Sequence, residues 1–301
     1  MEVGMSRISW ICDYDCMIGE GGGGELSEKV VITEGIRRGH EIKMCTPNTP
    51  NKNGVLTSDI AILGSGSRFA QQFLAQISEQ QELIMYIHDF WPLCKYRLFY
   101  SDLNKCKTIC PNMPMAKKLL LSSSLNIFLS PLHKRIWLRA IPELKDKDDY
   151  LHVSPVDTNL FVPLDVPKVP KSSICINCLL KFKDLGNIIE YAKVNPERTI
   201  TCVGGQEKGL KLPPNIVPIG GVSPEEMPGM YSQSEEYLHL PLYCEPCGRS
   251  TIEAKLCGVP MKVNKLVGVA SYPEFKWDRE RFAAWIADSP RRFWKKIEEV
   301  I

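Results

Sequence analysis

Two glutamates eight positions apart, Glu245 and Glu253, stand in the stretch YCEPCGRSTIEAKLCGVP (residues 243–260). A loop enters a helix there. Pro246 and Gly248 mark the turn, Ser250 is an N-cap residue type, Glu253 follows three residues later as in a capping box, and Gly258 with Pro260 closes the helix. A capping role accounts for Glu253 alone. Glu245 lies upstream of the cap and faces whatever the helix N-terminus faces, which by its dipole and unpaired amides is an anion. A carboxylate belongs there if it accepts from neutral hydroxyls while backbone N–H groups hold a phosphate, and a nucleotide-sugar meets both demands.

Other residues carry weaker chemical signals. Gly21 to Gly24 form a run between an apolar segment and a helical one, where missing side chains let the backbone approach a phosphate. The spacing matches the dinucleotide fingerprint only trivially, and a flexible loop needs no ligand. His88 and Asp89 end the apolar run ELIMYIHD, a strand-end position from which a histidine can donate to a sugar hydroxyl or a phosphate; the alternative is a structural histidine. The twelve cysteines, with no basic-then-apolar leader ahead of them, read as reduced thiols. Cys175 and Cys178 make a C-x-x-C inside an apparent strand, where residues three apart point to opposite faces and chelate poorly. Cys244 and Cys247 have no second pair at zinc-ribbon spacing, whereas Cys94, Cys106 and Cys110 beside His88 have the residue types of a structural zinc site.

The elements that must position these residues alternate. Apolar strand-like runs (RISWIC, HEIKMCTP, SDIAILGS, ELIMYIHD, LNIFLS) are separated by amphipathic segments through ELSEKVVITEGIRRG, residues 68–80 and PLHKRIWLRA, which predicts a parallel sheet covered on both faces. Prolines 163, 167 and 170 then interrupt regular structure, and the alternation restarts with SSICINCL, LGNIIEYAKVNP, RTITCVGG, NIVPIGG, PEEMPGMYSQS and EYLHLPL. The expected organisation is α/β: two Rossmann-like domains facing each other across a cleft, residues 1–162 on the acceptor side and 171–282 binding nucleotide, with a C-terminal helix over 283–301 packing back towards the first. With 301 residues, 44% hydrophobic, and a net charge of +2, the chain has the composition of a folded protein with no general pull on polyanions. No apolar run spans a bilayer, so a cytoplasmic protein is expected. Basic clusters at His133, Lys134, Arg135 and Arg139, and at Arg291, Arg292, Lys295 and Lys296, are either solvated helix faces or the place for a peripheral membrane or nucleic-acid contact near Arg135.

Residues 241–260 resemble the E-x7-E signature of the retaining glycosyltransferases of family 4, which have the GT-B fold. GGGGELSEKVVITEGIRRGHEI is similar to the family's glycine loop and first helix, IHDFWPLC to its histidine segment, SPVDTNLFVP to its hinge, and NIVPIGGVSPEEMPGMYSQSEEYLHLPL to the following strand, turn and helix. The resemblance implies that a hexose moves from a UDP- or GDP-sugar to a saccharide, a lipid-linked saccharide or, as a lesser alternative, a hydroxylated nucleic-acid base, with no divalent metal or other cofactor. It implies that Glu245 accepts from donor-sugar hydroxyls, Glu253 holds the ribose, and His88 touches the transferred sugar. Cys247, Gly248, Arg249 and Ser250 would present amides to sugar and diphosphate, Gly22 and Gly23 would close over the phosphates, and Gly220 and Gly221 would border the base. The family's phosphate-binding lysine falls on Lys183, but its arginine position holds Cys178 and the preceding glycine is Asn177, leaving Lys181 or Arg249 to compensate. That departure keeps a second reading open, a non-catalytic nucleotide-sugar binder or scaffold of the same fold; transfer to phosphate or water is a third.

Overall fold

The computed structural model describes residues 5–19, 21–50, 57–80, 82–94, 113–180 and 183–300. They fall into two compact units, Met1–Pro155 with Asp288–Ile301, and Val156–Ala287. The first unit holds β1 (Arg7–Ile11), α1 (Gly23–Arg37), β2 (Glu41–Cys45), β3 (Ile60–Leu63), α2 (Gln71–Gln80), β4 (Glu82–Ile87), α3 (Met113–Ser122), β5 (Leu125–Phe128), α4 (Pro131–Ala140) and β6 (Asp149–Leu151). Its six strands run parallel in the order β2-β1-β3-β4-β5-β6. The central strands β3 and β4 are buried on both faces, hence their unbroken apolar sequences. The sequence does not anticipate α3: its leucine run has no visible period, and only burial of Ala116, Leu119 and Leu120 reveals helical spacing.

The second unit holds β7 (Ser172–Ile176), α5 (Leu185–Val194), β8 (Thr199–Val203), β9 (Ile216–Gly220), α6 (Met227–Gln233), β10 (Glu236–His239), α7 (Arg249–Leu256), β11 (Met261–Val263) and α8 (Arg279–Ala287), with parallel strand order β11-β10-β7-β8-β9. The proline-rich stretch has no regular structure and is tied to the end of α6: the Leu164 amide donates to Ser232 Oγ (3.0 Å), the Val169 amide to Gln233 O (2.8 Å), and Lys168 Nζ to Ser234 O (2.8 Å).

The last amphipathic segment is two helices. Asp288 holds the N-cap position of α9 (Ser289–Glu298) without a side-chain capping bond, and Pro290, lacking an N–H, is tolerated in its first turn but not as a continuation of α8. Phe293, Trp294 and Ile297 complete the core of the first unit. Trp294 Nε1 donates to Val31 O (2.6 Å), its ring stacks on His40, and Arg38 pairs with Glu298. No helix among the described residues is long and apolar enough to cross a membrane.

Candidate functional site

In the second unit the loop between β10 and α7 is pinned by its backbone. The Glu245 amide donates to Leu266 O (2.9 Å), Gly268 donates to Glu245 O (2.8 Å), and Val269 donates to Cys247 O (2.6 Å). The carboxylate of Glu245 meets Lys183 from 62 residues earlier, Nζ to Oε2 at 2.7 Å. Burial pushes Glu245 up, but the charges of Lys183 and His239 outweigh it and hold the carboxyl below its ordinary range. His239 is itself fixed, with Nδ1 2.7 Å from Thr251 Oγ1 and Nε2 4.0 Å from Asp184, whose Oδ2 accepts from the Leu240 amide at 2.8 Å. Burial raises the pKa of Asp184. The sequence reading missed Asp184 and His239, which carry no local motif.

Helix α7 starts one residue before the expected cap. Gly248 is the N-cap, in the left-handed region at φ +86°, and Ser250 lies inside the helix with its hydroxyl 2.8 Å from Tyr237 Oη. No capping box forms. Glu253 instead accepts from Arg249 Nε (3.1 Å) and Tyr231 Oη (3.2 Å). Burial raises Glu253, partly offset by Arg249 and Tyr231. Glu245, Lys183, Gly248, Arg249 and Glu253 thus sit in the first turns of one helix and the loop before it, where the Thr251 and Ile252 amides donate to Gly248 O (2.9 and 3.3 Å). Gly220 and Gly221 line a different part of the unit, a cavity of about 390 Å³ shared with Gly204, Gly205, Gln206 and Pro218.

Cys175 and Cys178 do not point to opposite faces. Strand β7 stops at Ile176, Asn177 takes a left-handed φ of +51°, and the chain turns so that the two sulfurs lie 2.9 Å apart, with Cys202 Sγ 3.3 Å from Cys175. All three thiols are buried beside Ile188, Ile200 and Leu238. Thiolates sharing one zinc sit roughly 3.7 Å apart at a Zn–S distance of about 2.3 Å, so these sulfurs pack more closely than a chelate. Cys178, at the position where the sequence resemblance expects an arginine, faces the core. Lys181, and Cys106 and Cys110 of the expected zinc set, lie outside the described residues.

In the first unit α1 begins within the glycine run. Glu25 reaches back to accept from the Gly22 amide (2.8 Å), and Gly23 and Gly24 form the first turn. His88, just past β4, packs on Tyr86 and places Nε2 3.0 Å from Oε1 of the buried Glu28. Glu28 is a third residue missed in the sequence, although a carboxylate on the face that carries Val31, Ile32 and Gly35 inward is a visible anomaly.

The basic cluster near Arg135 is smaller than its sequence suggests. His133 is fully buried, accepts from Trp137 Nε1 at 2.8 Å and is pushed down to about 3 by burial, while Lys134 pairs with Asp149. Arg135 and Arg139 remain exposed. On α9, Arg291 and Arg292 pair with Asp288, and Lys296 with Glu299.

The sequence matches no protein-family model and no curated protein. Solved structures match over nearly its whole length. Sucrose-phosphate synthase from Thermosynechococcus elongatus superposes with a TM-score of 0.70 at 15% identity, covering 96% of this chain and 90% of that one. Anabaena HepE in complex with UDP and glucose gives 0.60 at 15% identity, covering 98% and 92%. An alpha-glucosyltransferase in complex with UDP and a 13-mer DNA containing an HMU base gives 0.55 at 13%, covering 98% and 91%. These neighbours are GT-B glycosyltransferases, and the two parallel-sheet α/β domains of this chain have the GT-B fold.

Proposed function

We propose that the chain is a retaining, metal-independent glycosyltransferase of the E-x7-E type. It moves a hexose from a nucleotide-diphosphate sugar to a saccharide or lipid-linked saccharide in the cytoplasm, at a membrane surface only where the acceptor is lipid-linked. The observation that carries this is the Lys183–Glu245 pair at the head of α7, with the left-handed Gly248 beside it and Glu253 about one turn on. It combines a cation, a helix N-terminus and an ionised carboxylate, which is what a diphosphate bonded to a hydroxylated sugar requires.

On donor binding Lys183 turns to the diphosphate and Glu245 accepts from the sugar hydroxyls. The acceptor oxygen attacks the anomeric carbon on the face that the diphosphate leaves. One C–O bond forms as the other breaks, and a phosphate oxygen takes the acceptor proton. Stabilising the departing diphosphate is the main electrostatic task, shared by Lys183 and the amides of Cys247, Gly248, Arg249 and Ser250. Glu253 holds the ribose, Gly220 and Gly221 border the base, Gly22 and Gly23 approach the phosphates, and His88 touches the sugar. HepE and the alpha-glucosyltransferase are both in complex with UDP, which favours a UDP-sugar over a GDP-sugar. The DNA of the latter keeps a nucleic-acid acceptor as the lesser alternative, with Arg135 and Arg139 as its phosphate contacts.

One observation favours the second reading, a non-catalytic binder: Cys178 occupies the arginine position and faces the core, while Arg249 is engaged by Glu253. A thermal-shift panel of UDP, GDP and ADP with their hexose conjugates, with and without magnesium, tests the site. A base-selective rise independent of magnesium is expected. No rise with any nucleotide would remove the proposal, and binding without turnover on any acceptor would favour the binder.

A further inference from the structure

Glu28 is 1% exposed on the inward face of α1, where an unpaired carboxylate is costly. It meets His88, Nε2 to Oε1 at 3.0 Å. Among the described residues neither oxygen of Glu28 and neither nitrogen of His88 has a hydrogen-bond partner, so the 3.0 Å approach is a charge contact rather than an aligned hydrogen bond. Gly64 makes the space for the carboxylate, and Gly24 lies against the ring. A Cβ on Gly64, just after β3, would stand 2.0 Å from Glu28 Oε1 and 3.6 Å from His88 Cδ2; one on Gly24, a turn before Glu28, would stand 3.6 Å from His88 Nδ1. The ring therefore has one nitrogen against a buried carboxylate and the other against the glycine-rich first turn of α1.

We propose that Glu28 is a positioning residue for His88: its charge sits against Nε2, so that Nδ1, buried and without a hydrogen-bond partner beside the first turn of α1, is the ring atom left for a donor sugar or diphosphate there. This rests on the glycosyltransferase reading above. Glu28 fixes the ring as the carboxylate of a catalytic dyad fixes its imidazole, without itself touching the ligand. The other groups around His88 fit the assignment. Burial disfavours the imidazolium, but the charge of Glu28, with Glu25 and Asp89 in support, more than offsets it and raises the pKa of His88. The neighbouring buried histidines, His133 and His152, are pushed down to about 3 by burial and stay neutral, and Tyr86 contributes a ring face at 4.2 Å. His88 thus differs from them in having its pKa raised, and protonation of its ring makes Nδ1–H a donor.

The test is the imidazole NMR titration of His88 in the full-length protein, in wild type, Glu28→Gln and Glu28→Asp, alongside the pH profile of kcat/KM with UDP-glucose. Wild-type His88 should titrate above its ordinary value of about 6.5, and Glu28→Gln should lower the midpoint by roughly one unit or more. Turnover of Glu28→Gln should fall about tenfold at pH 8 and recover as the pH is lowered and the ring reprotonates, with Glu28→Asp in between. A purely structural carboxylate predicts a pH-independent loss and an unchanged His88 midpoint, and that result overturns the proposal. If Glu28→Gln does not fold, wild type decides alone, since a midpoint at or below the ordinary value rejects the pair. If UDP and UDP-glucose leave wild-type melting unchanged, the glycosyltransferase reading fails while the titration still judges the pair.

Discussion

Gly248→Ala is the substitution whose effect follows most directly from geometry. Gly248 has φ +86°, and an alanine held there costs about 1–2 kcal/mol in backbone strain. Its Cβ would also lie 2.9 Å from Val267 Cγ1 and 3.4 Å from both His239 Cε1 and Thr251 Oγ1. Val267 is buried, and its amide donates to Asn264 O, so the valine has little room to retreat. Overpacking of this kind typically costs about 1–3 kcal/mol. The total is roughly 2–5 kcal/mol, well above the usual effect of one methyl group. Urea denaturation of wild type, Gly248→Ala, Val267→Ala and the double variant separates the two contributions. With Val267 shortened, the cost of the alanine should fall to the strain alone, about 1–2 kcal/mol. A single variant within about 0.5 kcal/mol of wild type, or an equal cost in both backgrounds, would refute the reasoning. The functional counterpart is weaker UDP binding, because the strain is released by tilting the first turn of α7.

Glu245→Gln should lower turnover about 100-fold or more while UDP-glucose still binds, and UDP alone should bind more tightly because Lys183 no longer has a carboxylate to leave; unchanged turnover rejects the role of Glu245. The pH dependence of the same pair has a definite sign. Glu245 is held below its unfolded value of 4.5, so its contribution to stability is present above that pH and is lost as pH falls through the lowered folded value. The stability gap between wild type and Glu245→Gln, followed by urea melts from pH 7 to 3, should therefore close in acid. Glu253 has the opposite sign: burial raises its carboxyl, so its ionisation costs stability as pH rises past 4.5. Glu253→Gln should melt at or above wild type at pH 8 yet lose nucleotide affinity in calorimetry; unaltered affinity would leave Glu253 a purely structural partner of Tyr231 and Arg249.

The alternation of strands and helices was legible because each buried strand carries its own apolar run and each helix its own period. The placement of Glu245 and Glu253 eight residues apart was legible because turn, helix start and spacing are all local. What escaped was decided by single dihedral angles or by distant partners. At Gly248 a left-handed φ moves the cap back from Ser250 and dissolves the apparent capping box. At Asn177 the same sign of φ ends β7 early and turns Cys178 into the core, so a C-x-x-C that alternation assigns to two faces becomes one thiol cluster. Glu28 and Gly64 have no motif, since the empty space at Gly64 acquires meaning only once the carboxylate filling it is known.

The turn at Asn177 has a functional consequence. With Cys178 buried and Arg249 held by Glu253, the described part of the segment after β7 offers Lys183 as its cation, and Lys183 is already balanced by Glu245. A site built this way does not wait as an open positive pocket. On the proposed reading, an arriving diphosphate replaces one carboxylate on Lys183, and the displaced carboxylate keeps His239, anchored by Thr251 and Asp184, as its neighbour. The free energy of freeing that carboxylate is recovered only if the ligand supplies hydroxyl donors for it, so free phosphate gains less than a diphosphate bonded to a sugar. If the proposed reaction holds, the pairing of Lys183 with Glu245 is a selectivity device: it couples recognition of the leaving group to recognition of the group transferred.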